Sequence, residues 1–401
     1  MQVFFSVGEP SGDLHGANLI RSLQKRNQDW KFVGYGGPRM AEAGCQLHTD
    51  LTQLAVMWIT QVLVHIRTFL KLVSRADQYF ETNRPDLVVL IDYPGFNWWI
   101  ARKAKARGIP VVYYGTPQLW AWASWRVSKM RRFVDHVLCK LPFEEPWFRQ
   151  RGCRATFVGH PYFDELKTRS IDEDFVSQQA NDRLVVLLPG SRDQEIKWNL
   201  PPFLQAAKLI KKQVPDVKFA IAIYKQSQRR HVQNIVQQSG LEVEMHVNRT
   251  AELIQSAHCC LACSGSVSLE LLYHSKPSAI LYQISKAGYL MQWIFRKVRY
   301  ITLVNLLTAE NPFADGSAGN YDSQDPQDKH VLMPEYLTCI DRSPALAGHV
   351  VAWLTDEAQH ERIVKDLTIL KEQVAQGGAS ELAAEYITQL MQASVNPAQA
   401  A

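Results

Sequence analysis

The chain of 401 residues is long enough for two or three domains at about 150 residues each. Its composition, 46% hydrophobic and 21% charged, is that of an ordinary soluble globular protein. The formal net charge is only +5 and there is no long basic arm, so nucleic acid is not an expected partner. No apolar run reaches the roughly 18 residues of a membrane span. No signal peptide is expected, because only a few residues separate Met1 from the break at Ser6–Gly8. Of the seven cysteines, Cys260 and Cys263 form a C-x-x-C without a second pair or histidines at ligand spacing. Buried, reduced thiols of a cytosolic protein are the expectation.

The first element is VFFSVGEPSGDLHGA, residues 3–17. A short apolar run gives way to a loop with Gly8, Gly12 and Gly16 and the acids Glu9 and Asp13, and a helical pattern follows. Strand, loop and helix come in the order of a dinucleotide site, but the spacing does not fit G-x-G-x-x-G. Two carboxylates also repel a pyrophosphate. The loop is therefore expected to lie against sugar rings. Its glycines would allow close approach, with Glu9, Ser11, Gly12, Asp13 and His15 as candidates for substrate contact; Glu9, Asp13 and His15 either hold hydroxyls or are second candidates for a general base, and His15 alternatively caps its own helix.

Apolar runs at 32–37, 86–95, 110–117 and 136–142 predict strands, with helical patterns between them. A second series follows at 184–192, 218–224, 259–266 and 277–283. Near-continuous Val, Ile and Leu fits parallel strands covered on both faces, and the alternation implies doubly wound α/β domains. The expected division is 1–165, a polar linker 166–183, 184–343, and C-terminal helices 344–401 that pack back on the first domain or on a partner subunit. Residues 314–330 resemble a loop insertion.

Ligands on such sheets bind beyond the carboxyl ends of the strands. Asp92 closes the run 86–92 and falls on the same rim as Glu9 and Asp13. It serves either as a base or as a cap on the turn before Pro94. In the second series, LLPGSRDQEI places Gly190, Ser191 and Arg192 at a strand end, with Ser191 and Gln194 at capping-box spacing. A free helix N-terminus and a guanidinium fork suit a diphosphate; a capped helix with a solvated arginine is the alternative. Ser264, Gly265 and Ser266 repeat the arrangement, and Glu270 one turn on either holds ribose hydroxyls or simply faces solvent.

Taken in order, GEPSGDLHGA, GYGGPRM, IDYPGFN, TPQLWAWASWRVSKM, LPFE, FVGHP, LLPGSRDQEI, SGSVSLE and NLL resemble one family, the lipid-A-disaccharide synthases. These are inverting glycosyltransferases of the GT-B fold, two Rossmann-like domains facing a cleft. The resemblance implies a UDP-2,3-diacylglucosamine donor and a 2,3-diacylglucosamine 1-phosphate acceptor (lipid X). The products would be a β-1,6-linked disaccharide phosphate and UDP. It implies that Asp92 serves the acceptor, with Asn97 in the same motif, and that Arg192, Asn305 and Glu270 serve the donor. Some members carry a second acid in the Asp92 motif, where this chain has Gly95, which can take no acid/base role.

No metal and no cofactor are expected: the D-x-D at 172–174 lies in the polar linker and reads as solvated charge. Lipid substrates imply a membrane surface, met peripherally on the inner face of the cytoplasmic membrane. The stretch 54–76 puts Ile59, Val62, Leu63, Ile66, Phe69, Leu70 and Val73 on one helical face, for an interfacial or acyl-binding role or for core packing. Residues 289–300 are a second candidate. Arg126 and Arg132, with Lys129 and Arg131, either receive the acceptor phosphate or form a solvated face. The family resemblance also allows a homodimer by exchange of C-terminal segments. Competing readings are another UDP-N-acetylglucosamine enzyme of the same fold (a lipid II-forming transferase or a 2-epimerase) and a non-catalytic sugar-nucleotide binder.

Overall fold

The computed structural model describes residues 1–55, 66–181, 183–313 and 320–395. Contacts divide the chain into two units, Met1–Glu165 with Gly377–Ala401, and Leu166–Gln376.

The first unit is built on a seven-stranded sheet. Its strands are β1 (Gln2–Val7), β2 (Lys31–Gly36), β3 (Cys45–Asp50), β4 (Leu87–Ile91), β5 (Val111–Tyr114), β6 (His136–Cys139) and β7 (Ala155–Phe157). Their order is β3-β2-β1-β4-β5-β6-β7 and all pairings are parallel. The second unit's sheet has β8 (Leu184–Leu188), β9 (Lys218–Ile223), β10 (Glu244–Val247), β11 (Cys259–Cys263), β12 (Ser278–Gln283) and β13 (Glu335–Thr338). Its order is β10-β9-β8-β11-β12-β13, again parallel.

The apolar runs end up where that pattern requires. β4, β5, β8 and β11 are buried along their whole length, because helices cover both faces. The strands that the sequence reading did not pick out lie at or near sheet edges. β3, β7 and β10 are half-exposed and carry polar residues, so they lack a continuous apolar run. β13 is fully buried but includes Glu335, which breaks the pattern.

In each sheet the chain reverses direction of winding at its first strand. β1 lies between β2 and β4, and β8 lies between β9 and β11. These switch points leave a crevice beyond the strands' carboxyl ends. Register fixes what stands there: Val7 pairs with Ile91, and Leu188 with Ala262. The loops at 8–9 and 92–93 are thus neighbours, as are those at 189–192 and 264–266.

The stretch 166–183 is not bare. Asp172 caps the helix Glu173–Gln179 by accepting from the Phe175 N–H, and it pairs with Arg249 at 2.8 Å. Asp172, Glu173 and Asp174 are all exposed, as expected of solvated charge, and Asp172 has a local structural job in addition.

The C-terminal helix Ala379–Val395 belongs to the first unit, whereas the helices Ser343–Thr355 and Glu357–Val374 belong to the second. Ala383, Ala384, Ile387 and Met391 join the core formed by Leu19, Ile20 and Leu23. Its first turn is capped by a distant carboxylate: Asp164 accepts from the N–H groups of Gly378, Ala379 and Ser380 at 2.5, 3.2 and 2.9 Å. We expect Asp164→Ala to cost about 0.5–2 kcal/mol, the range for losing a helix cap, and to speed hydrogen exchange within Ala379–Val395. Unchanged exchange there would contradict the capping role.

Candidate active site

Asp92 follows the last residue of β4 at the first unit's switch point. Asp92 and Tyr93 both adopt left-handed backbone, with φ of 46° and 43°. Non-glycine residues hold such angles at a cost of about 1–3 kcal/mol each, and only where neighbours fix them. The fixing groups are visible. The Asn97 amide donates to the carbonyls of Ser6, Ile91 and Asp92 at 3.1, 3.2 and 2.8 Å, while its Oδ1 accepts from Ser6 Oγ at 2.6 Å. The Tyr113 hydroxyl donates to the Asp92 carbonyl at 2.5 Å. Asn97 is completely buried, so it positions Asp92 from beneath rather than meeting a ligand itself.

The Asp92 carboxylate faces a cation that the sequence reading missed. Lys140 Nζ stands 3.2 Å from Asp92 Oδ1, the two side chains being 16% and 17% exposed. Lys140 follows the last residue of β6, on the same rim. A charged residue directly after a buried strand was the available signal. Its ammonium stays charged: burial pulls its pKa down, but Asp92 and Glu144 outweigh that and raise it. His15 is buried beside this pair, and its Nδ1 has no hydrogen-bond partner. Burial drives the His15 pKa down to about 4, with Asp92 opposing and Lys140 reinforcing the shift. His160 is likewise held well below the usual histidine range, by burial first and then by Lys140 and His15. Both imidazoles are neutral at pH 7.

The glycine-rich loop has a different explanation from the one its sequence suggested. A Cβ on Gly8 would sit 2.3 Å from the Tyr93 ring, one on Gly12 2.9 Å from Val7, and one on Gly16 2.7 Å from Met40 Sδ. The glycines let the helix Pro10–Arg26 press on its own unit. Asp13 is buried and accepts from the N–H groups of Gly37, Arg39 and Met40 at 2.8, 3.0 and 3.1 Å. It caps the helix Pro38–Glu42 and has no exposed face for a sugar hydroxyl. Glu9 and Ser11 remain at the surface, with Glu9 at the helix N-cap position. Arg126 and Arg132 are exposed, Arg132 lying over the Phe133 ring at 5.3 Å.

An apolar pocket of about 220 Å³ opens next to Asp92. Ile66, Phe69, Leu70 and Val73 line it from the helix Ile66–Asn83, facing Tyr93, Gly95, Phe96 and Trp99. A Cβ on Gly95 would meet nothing within 4 Å, so this side of the motif is open. Ile59, Val62 and Leu63 lie outside the described residues.

At the second unit's switch point, Gly190 has φ +121°, and a Cβ there would lie 2.5 Å from Glu195. The cap is one residue later than the sequence suggested. The Glu195 carboxylate, not Gln194, accepts from the N–H groups of Ser191 and Arg192 at 2.9 and 3.1 Å, and from the Arg192 guanidinium at 2.9 Å. The turn is held from the other side by Gln228, whose amide donates to Ser191 O and Asp193 Oδ1, both at 2.9 Å. Gly265 has φ +155° with open space around it, and Ser264 and Ser266 flank it at the surface end of β11. Glu270 is buried and paired with Arg169 at 2.5 Å, so it is not a solvated glutamate. Asn305 is completely buried. Its amide donates to Met333 O and Glu335 Oε2 at 2.7 and 2.9 Å, and its Oδ1 accepts from the Met333 N–H at 3.1 Å. Both amide hydrogens are engaged, so Asn305 shapes this loop from within and offers no donor to a ligand. Among the described residues, no group of three or more His, Cys, Asp or Glu could hold a metal ion.

This architecture and these motifs have relatives. The family model for lipid-A-disaccharide synthetase matches residues 3–336. A lipid-A-disaccharide synthase from Geobacter sulfurreducens is 31% identical over 97% of each chain. Among solved structures, UDP-GlcNAc 2-epimerase from Neisseria meningitidis, bound to UDP-GlcNAc, superposes with a TM-score of 0.62 at 14% identity, covering 97% of this chain and 100% of that one. MurG of Acinetobacter baumannii superposes with a TM-score of 0.56 at 12% identity, covering 97% and 99%. At such identities the superpositions establish the fold alone, the GT-B arrangement of two parallel-sheet units. The family match extends over most of the chain and includes the stretches that build both rims. The chain belongs to the lipid-A-disaccharide synthase family.

Proposed function

We propose that this chain transfers a 2,3-diacylglucosaminyl group from its UDP derivative to the 6-hydroxyl of 2,3-diacylglucosamine 1-phosphate, with inversion, releasing UDP. The observation that carries the reading is the Asp92 carboxylate, held on left-handed backbone at a switch point and next to an apolar pocket. A carboxylate in hydrogen-bond reach of an alcohol can contribute about 10²–10⁴-fold as general base. Asp92 takes the proton as the hydroxyl oxygen bonds to the anomeric carbon and the bond to the UDP oxygen breaks. Glu9, with Ser11, is left for sugar hydroxyls, and Arg126 and Arg132 for the acceptor phosphate.

The leaving diphosphate gathers negative charge. Arg192, 71% exposed, supplies positive charge on the second unit's rim, and the loop 264–266 supplies hydroxyl and backbone N–H donors. There the diphosphate replaces Glu195 on the N–H groups of Ser191 and Arg192, an exchange of one anion for another at a helix N-terminus. Glu270, fixed by Arg169, accepts from the ribose hydroxyls. The pocket beside Tyr93 receives acyl chain, at about 0.8 kcal/mol per buried CH₂.

Lipid substrates require a membrane surface. Among the described residues, no helix is long and apolar enough to cross a membrane. The helix Lys286–Phe295 has no buried residue, and Leu290, Met291, Trp293, Ile294 and Phe295 are 40–62% exposed. Lys286 and Lys297 flank it. That is the make-up of a helix lying in a lipid interface, on the inner face of the cytoplasmic membrane.

With both substrates in detergent, the pure protein should form disaccharide and UDP without added divalent metal; loss of turnover on chelation would contradict the metal-free reading. Asp92→Ala should lose at least 10²-fold in kcat, the lower end for a general base, while still binding UDP. Full turnover would remove Asp92 from its role. Replacing Trp293 and Ile294 together by Ser should release the protein from anionic vesicles in a sedimentation assay while leaving turnover in detergent unchanged. Undiminished vesicle binding would rule out that helix as the contact.

A further inference from the structure

We infer that Lys140 is the positioning residue for the base: its ammonium grips one oxygen of Asp92, keeps the carboxylate ionised as lipid displaces water from the site, and leaves the second oxygen to the acceptor hydroxyl. The inference rests on the assignment of Asp92 made above.

The geometry is built for this. Lys140 Nζ contacts Oδ1 at 3.2 Å. Oδ2 lies on the side of Gly12, where a Cβ would stand 3.6 Å away. Gly115 borders the pair: its φ of +69° favours glycine, and a Cβ there would stand in ordinary contact, 3.7 Å from both Asp92 Oδ1 and Lys140 Nζ. The root of the lysine is also anchored. Buried Glu144 accepts from the N–H groups of Lys140 and Leu141 at 2.8 and 3.0 Å. It is held in turn by Trp120 Nε1 at 2.9 Å and Thr116 Oγ1 at 3.4 Å.

The need for a cation follows from the neighbouring pocket. Its lining is apolar and Tyr93 belongs to it, so lipid that fills it removes water one residue from Asp92. Desolvation disfavours a carboxylate's charged form, and an opposite charge within about 4–6 Å restores it. The other titratable groups around Asp92 do not supply that charge. His15, on the helix Pro10–Arg26, and His160, after β7, are neutral at pH 7. Tyr113, on β5, donates its hydroxyl to the Asp92 carbonyl and not to the carboxylate. Glu9, Glu144 and Asp164 are acids, and Tyr114 is a buried phenol.

The test is the pH dependence of kcat/KM for the wild type, Lys140→Met, Lys140→Arg and Asp92→Asn. Without the lysine the acid limb should move up by about 1–2 pH units, the usual effect of a lost cationic neighbour. Lys140→Met should therefore lose activity on going from pH 8 to pH 5.5 where the wild type does not, by about 2–4-fold for such a shift of an ordinary carboxylate, with UDP affinity unchanged. Lys140→Arg should keep the acid limb near its wild-type position. Should the methionine variant fail to fold, Lys140→Gln carries the same expectation. A wild-type acid limb in the neutral variant, with Asp92→Asn inactive, overturns the role of Lys140 and leaves the base assignment standing. An active Asp92→Asn overturns the base assignment itself.

Discussion

The bend after β4 is the constraint on which the chemistry proposed for the first unit depends. A parallel strand delivers its carboxyl end to the ligand rim, but the residue after it normally runs on into a helix. Here two consecutive residues take left-handed angles, so Asp92 turns aside before the helix Pro94–Ala106 starts. Unassisted, that geometry is unfavourable. Asn97 and Tyr113 engage the Asp92 carbonyl, and Asn97 also ties it to Ser6 at the end of β1. The bend is therefore set by the same hydrogen bonds that join the two strands at the switch point. The Tyr93 ring, packed against Gly8, closes the arrangement from above. The glycines of the opening loop thus serve the site indirectly, by giving room to the parts that fix Asp92.

The second unit meets a different problem, that of holding the turn proposed for the diphosphate in shape on its own. Free N–H groups and a guanidinium at a helix start are unstable company without a partner. Glu195 supplies one from within the same turn, and Gln228 holds the loop against the neighbouring β9 side. Glu270 follows a similar logic, its buried carboxylate matched by Arg169. Both acids are those that the proposed sugar-nucleotide site would use.

The sequence reveals the sheets well, because fully buried parallel strands leave long apolar runs. It hides the edge strands β3, β7 and β10, whose exposed faces admit polar residues. It points to the rim residues Asp92, Arg192 and Ser264–Ser266 through their places after strand ends, and to Glu270 through its place one turn into the helix that follows. It cannot separate ligand groups from scaffold groups on the same rim. Asp13, Asn97 and Asn305 read as candidates for ligand contact, yet each is buried and engaged with backbone. Their partners come from segments remote in the chain, such as Gly37, Ser6 and Met333, and local spacing does not encode those distances. Lys140 escaped for the same reason, since its partner is 48 residues away.

The most direct measurement is a crystal structure with the acceptor lipid bound and a non-transferable UDP-sugar analogue present. We expect the acceptor 6-oxygen within about 2.6–3.2 Å of Asp92 Oδ2, the reach of a general base, with an acyl chain in the pocket beside Tyr93. An acceptor whose 6-oxygen faces another carboxylate, with Asp92 remote from the sugar, would contradict the central claim.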